Sequence, residues 1–384
     1  MIYLDHNATT PVLPEVFEAM APYLRESWGN PSSPYRFGQE VRAAVEGARE
    51  RVAGLLGCKP SEVYFTAGGT EADNMALRGA ARAFGGSKRG IVTTAIEHHA
   101  VLNTCKALGS AGHQVTYLPV STKGIVELEA LSRSLGSDAA LVSVMHANNE
   151  TGVIQPVEEI ARMLRGRGIL FHVDAVQTAG KLPFRLAELG ADLISLSGHK
   201  FYGPKGGGVL YVREGTPLAP CMTGGAQEMG LRAGTENVAG IAGLARALAL
   251  ACDACREEGE RLRRLRDLLE TLVRGRISGV RFNGASAPRV PNTASLSFES
   301  VDGESVVLAL DLKGICVSTG SACATGDVEP SHVLLAMGLS PREAQGTVRI
   351  SLGKGTREED IVQAVDALAE TVERLRRISS VAAR

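Results

Sequence analysis

Short apolar runs alternate with amphipathic helical stretches over the first two-thirds of this 384-residue chain. This alternation limits the possible folds more than any other feature. Residues 37–56 carry Val41, Ala44, Val45, Ala48, Val52 and Leu55 at helical spacing, which predicts an amphipathic helix. A short strand at 63–65, a turn at Gly68-Gly69 and a helix over about 70–84 follow. Further strand-like runs occupy 91–95, 114–118, 139–146, 169–174, 193–197 and 209–212, with helical patterns such as 99–108 and 157–164 between them. Strands separated by helices of this length imply βαβ units in a mostly parallel sheet covered on both faces. The unbroken apolar run Ala140-Leu141-Val142 agrees, because a doubly covered strand has no polar face. Residues 239–277 read as helix throughout, with a charged middle at 256–266, and are expected to bridge two domains. Beyond lie strand-like 293–298, a helix near 305–312, strand-like 348–352 and a final helix over 357–377. The expectation is an α/β large domain at 15–256 and a smaller α+β domain built from 1–14 and 257–384.

Composition narrows the function classes. Lys plus Arg total 41 against 42 Asp plus Glu, a net charge of −1. Such a balance supplies no field for nucleic acid or an anionic membrane, so neither is expected as a partner. The opening Met1-Ile2-Tyr3-Leu4-Asp5-His6 lacks the basic and apolar regions of a secretory signal. The apolar stretch 239–251 is interrupted by Arg246 and is expected to be too short to span a bilayer. Seven cysteines, an odd number in a long chain, argue against structural disulfides and for a cytoplasmic protein.

Several strand ends carry reactive side chains. Ser197-Gly198-His199-Lys200 ends one strand and runs into the glycine turn at 203–208. In α/β sheets ligands bind at that end, and a partly desolvated lysine there becomes a Schiff-base nucleophile. A lone lysine in a loop is more often a surface residue, and only its context shifts the balance. Asp174 ends another apolar strand. A buried aspartate needs a cationic partner, such as a protonated pyridine nitrogen, although capping the next helix is an equally good reading. Gly68-Gly69-Thr70-Glu71 opens a helix whose free N–H groups suit a phosphate; the same residues also read as an ordinary helix start. His98 and His99 end a further strand, with no cysteine or carboxylate cluster at metal-ligand spacing, so no metal is expected. Cys252-x-x-Cys255 falls mid-helix without a second pair and reads as packing. Cys323 differs: it sits in Ser318-Thr319-Gly320-Ser321-Ala322-Cys323-Ala324-Thr325-Gly326, a small-residue stretch unable to pack a core and suited to a reactive thiol.

Taken together, these residues resemble the cysteine desulfurases of the class V aminotransferase superfamily, enzymes of pyridoxal 5′-phosphate (PLP) fold type I. The similarity is to the group with the longer cysteine loop. It is carried by Tyr3 to Thr10, Gly29-Asn30-Pro31-Ser32-Ser33, Gly69-Thr70-Glu71, Glu97-His98, Ala147 to Gly152, His172-Val173-Asp174-Ala175, Ser197 to Lys200, Arg232 to Asn237, Gly320 to Cys323 and Glu329-Pro330-Ser331-His332. The resemblance implies that Lys200 would bond the cofactor aldehyde and Asp174 would keep the pyridine nitrogen protonated. Gln177 and Asn149 would contact the ring oxygen, and His98 would stack on the ring and assist proton transfer. Gly69, Thr70, Ser197 and His199 would bind the phosphate, with Thr235 reaching in from the second subunit of a homodimer. Arg349 and Asn30 would hold the carboxylate of L-cysteine, and Cys323 would take the sulfur as a persulfide.

The same resemblance implies delivery to a sulfur-acceptor protein, either an iron–sulfur cluster scaffold or a thiolation enzyme. It also shows two departures. Trp28 stands where many members have Phe, and Met229 replaces a frequent arginine. Alternatives are a selenocysteine lyase or another class V PLP enzyme, which work without a loop cysteine, and a catalytically silent subunit of an assembly complex. A nicotinamide dehydrogenase is disfavoured by the missing G-x-G-x-x-G.

Overall fold

The computed structural model describes residues 1–86, 88–183, 185–319 and 330–382. The chain opens with strand β1 (Ile2–Tyr3) and helices α1 (Pro14–Arg25) and α2 (Arg36–Leu56). Strand β2 (Val63–Thr66) and helix α3 (Gly69–Ala83) begin the alternating run. It continues through β3 (Gly90–Thr94), α4 (His99–Ser110), β4 (Gln114–Leu118), α5 (Leu128–Ser134), β5 (Ala139–Met145) and α6 (Val157–Leu164). It ends with β6 (Leu170–Asp174), α7 (Leu186–Leu189), β7 (Leu193–Ser197) and β8 (Gly208–Val212). Helix α8 (Val238–Arg276) leads to β9 (Val280–Phe282), β10 (Thr293–Phe298), α9 (Gly303–Asp311) and β11 (Ile315–Cys316). The last elements are α10 (His332–Ala336), α11 (Pro341–Gln345), β12 (Thr347–Ser351) and α12 (Glu358–Ala382).

The alternation builds a seven-stranded sheet in the order β2-β8-β7-β6-β5-β3-β4. Neighbours from β4 to β7 are parallel, while β8 runs antiparallel to both β7 and β2. The direction of β8 follows from its connection: a glycine turn joins it to β7, and a parallel return needs a longer crossover. Every residue of β5, β6, β7 and β8 is buried, as a sheet covered on both faces requires. Edge strand β4 instead exposes Gln114, Thr116 and Tyr117.

The smaller layer is the antiparallel sheet β12-β10-β9, with the parallel pair β1-β11 beside it. Its core gathers Leu4, Leu269, Leu296, Phe298, Val348, Ile350 and Val365. The chain start therefore belongs to this layer, and Asp5 bridges Ser351 of β12. Residues after α8 do not all stay there, because Val333, Leu334, Met337 and Leu339 pack into the large core.

Helix α8 ties the layers together. Ile241, Leu244 and Leu248 lie in the large core, and Leu262, Leu265, Leu269 and Val273 in the small one. Its N-terminus is capped by Asn237, whose side chain accepts from the Gly240 N–H. The sequence expectation that this stretch is too short to cross a bilayer is corrected: the continuous helix has 39 residues and, among the described residues, is the one helix long and apolar enough to do so. Half of its apolar window is buried inside the protein, where α1 and α2 pack on it. Helix α1 escapes the sequence reading because Pro22 interrupts its pattern, although Pro14 suits a first turn.

Candidate active site

Five parallel strands end on one rim of the large sheet, and a cavity of about 630 Å³ opens there. Strand β7 ends in a 3₁₀ turn that delivers Lys200 into this cavity. The turn is pinned from both sides: the Gly198 N–H donates to Gly207 O at 2.9 Å, and the Gly203 N–H donates to Gly198 O at 2.9 Å. Gly206, at φ 78°, turns the chain back into β8. Lys200 Nζ donates to the main-chain oxygens of Asn7 at 2.6 Å and Ala8 at 2.8 Å. Burial and the Arg349 charge push its pKa down to about 8, against the raising effect of Asp5 and Asp174.

Asp174 closes β6 at 6% exposure. One of its oxygens accepts from the Val176 N–H at 2.9 Å. Burial raises its pKa while that hydrogen bond and Lys200 lower it. Behind it, His172 bridges Ser143 and Ser195 through its two ring nitrogens, at 2.8 and 2.9 Å. Burial pushes His172 down to about 3, so the ring is neutral. Asp73 of α3 also lines the cavity. Its Oδ1 is buried without a hydrogen bond, and burial followed by the Asp174 charge raises its pKa.

The start of α3 forms the neighbouring wall. A Cβ on Gly69 would sit 2.8 Å from Val176 Cγ2, and one on Gly208 would sit 2.6 Å from Gly68 Cα. The two chain segments can approach this closely only because both positions lack side chains. Gly69, Thr70, Ser197 and His199 border the cavity here, at the positive end of a 15-residue helix. The His199 ring meets Thr9 Oγ1 at 3.1 Å, and desolvation followed by the Lys200 charge lowers its pKa. His98 follows β3 and caps α4 by accepting the Ala100 N–H. Although its ring is accessible from the cavity, the surrounding protein and the Lys200 charge lower its pKa as well.

The opposite wall comes from the small layer and the chain start. Arg349, on β12, is 5% exposed. It donates through Nη2 to Asp5 Oδ1 at 2.7 Å and through Nη1 to Asn149 O at 3.1 Å. Its Nε is buried with no hydrogen-bond partner.

Most of the residues singled out in the sequence therefore meet in one place. Lys200, His98, Asp174, Asn149, Gln177, Gly69, Thr70, Ser197, His199 and Arg349 all border the cavity. Asn30 does not: it is exposed, and its Oδ1 accepts from the Ser32 N–H at 2.9 Å. Thr235 is exposed and also absent from the cavity lining. Cys323 lies outside the described residues. The sequence reading gave no role to Asp5, Asn7, Asp73 or Lys181. The first two lie within the matched segment Tyr3 to Thr10, but their partners are more than 140 residues away.

These side chains fit PLP. A buried carboxylate faces a cavity and wants a cationic partner, an amine of lowered pKa stands beside it, and a helix N-terminus without intruding side chains offers an anion cradle. On a mostly parallel sheet with Lys200 at a strand end, the set defines a PLP-dependent enzyme of fold type I.

The chain belongs to the aminotransferase class-V family, whose profile matches residues 2–364. It is 49% identical over 378 residues to cysteine desulfurase IscS of Dictyoglomus turgidum, covering 98% of this chain and 96% of that protein. Among solved structures it is similar to a NifS-like protein, with TM-score 0.91 and 43% identity over 97% of this chain and 99% of the other. It is also similar to SspA in complex with cysteine, with TM-score 0.82 and 36% identity over 92% and 99% of the two chains.

Proposed function

We propose that the protein is a cysteine desulfurase that converts L-cysteine to L-alanine and retains the sulfur as a persulfide on Cys323. The observation that carries the reading is the pairing of Lys200 and Asp174 on one side of the cavity with the buried, partly unspent guanidinium of Arg349 on the other. That pairing suits an α-amino acid, whose amine goes to one wall and carboxylate to the other. When bound, PLP supplies an aldehyde for amines and a cationic ring that withdraws electrons from the substrate α-carbon.

Asp174 would hold the proton on the ring nitrogen of bound PLP. Lys200, as a neutral amine, would accept the substrate α-proton and return a proton to carbon. Arg349, oriented by Asp5 and Asn149, grips the carboxylate with charge-assisted hydrogen bonds. Cys323 attacks the substrate sulfur as thiolate. The S–S bond forms as the C–S bond breaks, and the β-carbon gains a proton. One thiol and one cysteine thus give one persulfide and one alanine, with no external oxidant.

Two features support a homodimer. Thr235 stands outside its own cavity, and Phe17, Leu24, Trp28 and Tyr35, on α1 and in the segment after it, are exposed apolar side chains. In this reading Thr235 completes the phosphate site of the partner. The IscS-named relatives favour an iron–sulfur scaffold as acceptor, with a thiolation enzyme as the other candidate. All six cysteines among the described residues are free thiols, which supports a cytoplasmic setting.

The test measures alanine and protein-bound persulfide with L-cysteine as substrate. Cys323→Ala is expected to keep the cofactor's visible absorbance and form no persulfide. Undiminished sulfur release by that variant rejects the assignment. A wild-type protein without a cofactor band, or a band that survives in Lys200→Ala, points instead to a silent subunit.

A further inference from the structure

Asn7 joins the two walls of the cavity. It is 1% exposed, and its main-chain oxygen accepts from Lys200 Nζ at 2.6 Å and from Gln177 Nε2 at 3.1 Å. Its side-chain oxygen accepts from Asn292 Nδ2 at 3.1 Å and from Lys181 Nζ at 3.3 Å. Lys181 has a second and shorter bond, donating to Gln177 Oε1 at 2.7 Å. Gln177 is itself buried and borders the cavity.

A lysine amine has hydrogens to give and, while charged, nothing to accept with. The end of the Gln177 amide that meets it must therefore be the oxygen. The nitrogen end is then anchored to Asn7 O by one hydrogen, and its second hydrogen is left over. Rotating the amide by half a turn would set NH₂ against the Lys181 amine and C=O against the Asn7 carbonyl, breaking both bonds at once.

We infer that Lys181 is a positioning residue that locks the Gln177 amide so that it offers the cavity an N–H for the phenolic oxygen of the cofactor ring. The inference rests on the PLP reading and deepens it. Without Lys181 only the Asn7 carbonyl opposes the flip, and the flipped amide sets a carbonyl against the cofactor oxygen. Lys181 does not touch the cofactor; its effect passes through Gln177. The other end of the amide keeps its sense whatever the charge on Lys181, because the Asn7 carbonyl can only accept and so calls for the nitrogen.

The experiment compares PLP affinity of the apoprotein, by equilibrium dialysis, and the position of the visible absorption band. The proteins are wild type, Lys181→Met, Gln177→Ala, the double variant and Lys181→Arg. Lys181→Met is expected to weaken PLP binding up to about tenfold, the loss of one hydrogen bond from Gln177 to the cofactor, and to move the band. Lys181→Arg should keep affinity within about threefold of wild type. The double variant should lose no more than Gln177→Ala alone. Wild-type affinity and band in Lys181→Met overturn the inference, as does a double variant whose loss is the product of the two single losses. If Lys181→Met fails to fold, Lys181→Gln takes its place: retained affinity supports a hydrogen-bonding role, and a full tenfold loss overturns it. A wild-type protein that binds no PLP refutes the cofactor reading itself, before any variant is compared.

Discussion

The two walls of the cavity are made by different means. On one side Asn149, Asp174, Ser197, His199 and Lys200 lie at or just beyond the ends of adjacent strands β5, β6 and β7. The main chain is held by the sheet up to the last residue of each strand, and the side chains inherit that rigidity. On the other side nothing is local. Arg349 is aimed by Asp5, 344 residues away, and by the Asn149 carbonyl. The Asn7 N–H reaches Ser351 Oγ at 2.9 Å, and Thr10 is tied to His199 O through both its N–H and its hydroxyl, each at 3.0 Å. The strand-end wall therefore takes its backbone geometry from the sheet, although Lys200 and Gln177 are also tied to the chain start through Asn7 O. The wall facing it depends on the chain start, which packs with the smaller layer and bonds across to Ser351 and His199. A site of this kind assigns its fixed chemistry to the first wall and its substrate grip to the second.

The largest effect expected from separating the walls comes from Arg349→Ala. Removing a buried guanidinium leaves Asp5 and the Asn149 carbonyl without their donors and the substrate carboxylate without its cation. Hydrogen bonds to charged groups contribute about 1.5–3 kcal/mol each, so kcat/KM for L-cysteine should fall about a hundredfold or more, with the cofactor band unchanged. Asp5→Asn keeps the guanidinium but loosens its aim. A tenfold rise in KM with kcat nearly intact is the expected result. Steady-state kinetics with alanine as the measured product decide both. If Asp5→Asn lowers kcat and removes the cofactor band instead, the second wall also holds the cofactor, and the division drawn above is wrong.

The same division explains what was legible in the sequence. Strand-end residues announce themselves, since a polar group terminating a short apolar run before a glycine or a helix start has few structural uses. Lys200, Asp174, His98 and Gly69-Thr70 were readable in that way, and the alternation of periods gave the sheet that holds them. Asp5, Asn7 and Lys181 carry no such signal. Asp5 and Asn7 sit in a segment with almost no regular structure, and Lys181 lies in a turn after β6. For Asp5 and Asn7 the importance arises from contacts across more than 140 residues that no periodicity encodes; Lys181 acts on Gln177, only four residues earlier, but through a turn that has no pattern to read. The strand β9 and the short helices α10 and α11 were missed for a simpler reason: three to five residues are too few to show a period. Arg349 became visible only through family resemblance, because on its own it is one arginine in a buried strand.

A pH experiment sharpens the contrast from the side of the first wall. Lys200 has its pKa lowered from the ordinary lysine value to about 8. Only the neutral amine can attack an aldehyde, so uptake of PLP by the apoprotein should accelerate as pH rises through 8 and level off above 9. One unit below the pKa about a tenth of the amine is neutral, which makes the rate at pH 7 about a tenth of the plateau. The growth of visible absorbance after mixing measures this directly. In Arg349→Ala the nearby charge that lowers Lys200 is gone, and the midpoint should move upward. A rate that is flat between pH 6.5 and 9 would mean that Lys200 is not the group being titrated.

The smallest effect is expected at Met229, which lies outside both walls, in the segment leading to Thr235. Its φ is 53°, and Glu228 before it is at 46°; both are left-handed conformations that cost a side-chain-bearing residue about 1–2 kcal/mol. Glu228 is held there by Arg49, whose Nη1 and Nη2 meet its two oxygens at 2.8 and 3.0 Å, and by the Phe65 N–H at 2.8 Å. Met229 has no comparable anchor, and its side chain is 52% exposed. The strain at this position therefore belongs to the backbone, and the identity of the side chain matters little. Met229→Arg should leave kcat/KM within about twofold and stability within about 0.5 kcal/mol, as for other exposed positions. Met229→Gly should gain up to about 1 kcal/mol, because glycine accepts the conformation freely and gives back part of the gain as chain entropy. Denaturant melts separate the two variants. If Met229→Arg instead changes PLP affinity several-fold, the segment before Thr235 touches a cofactor site, and the cavity has a third wall that a single chain does not supply.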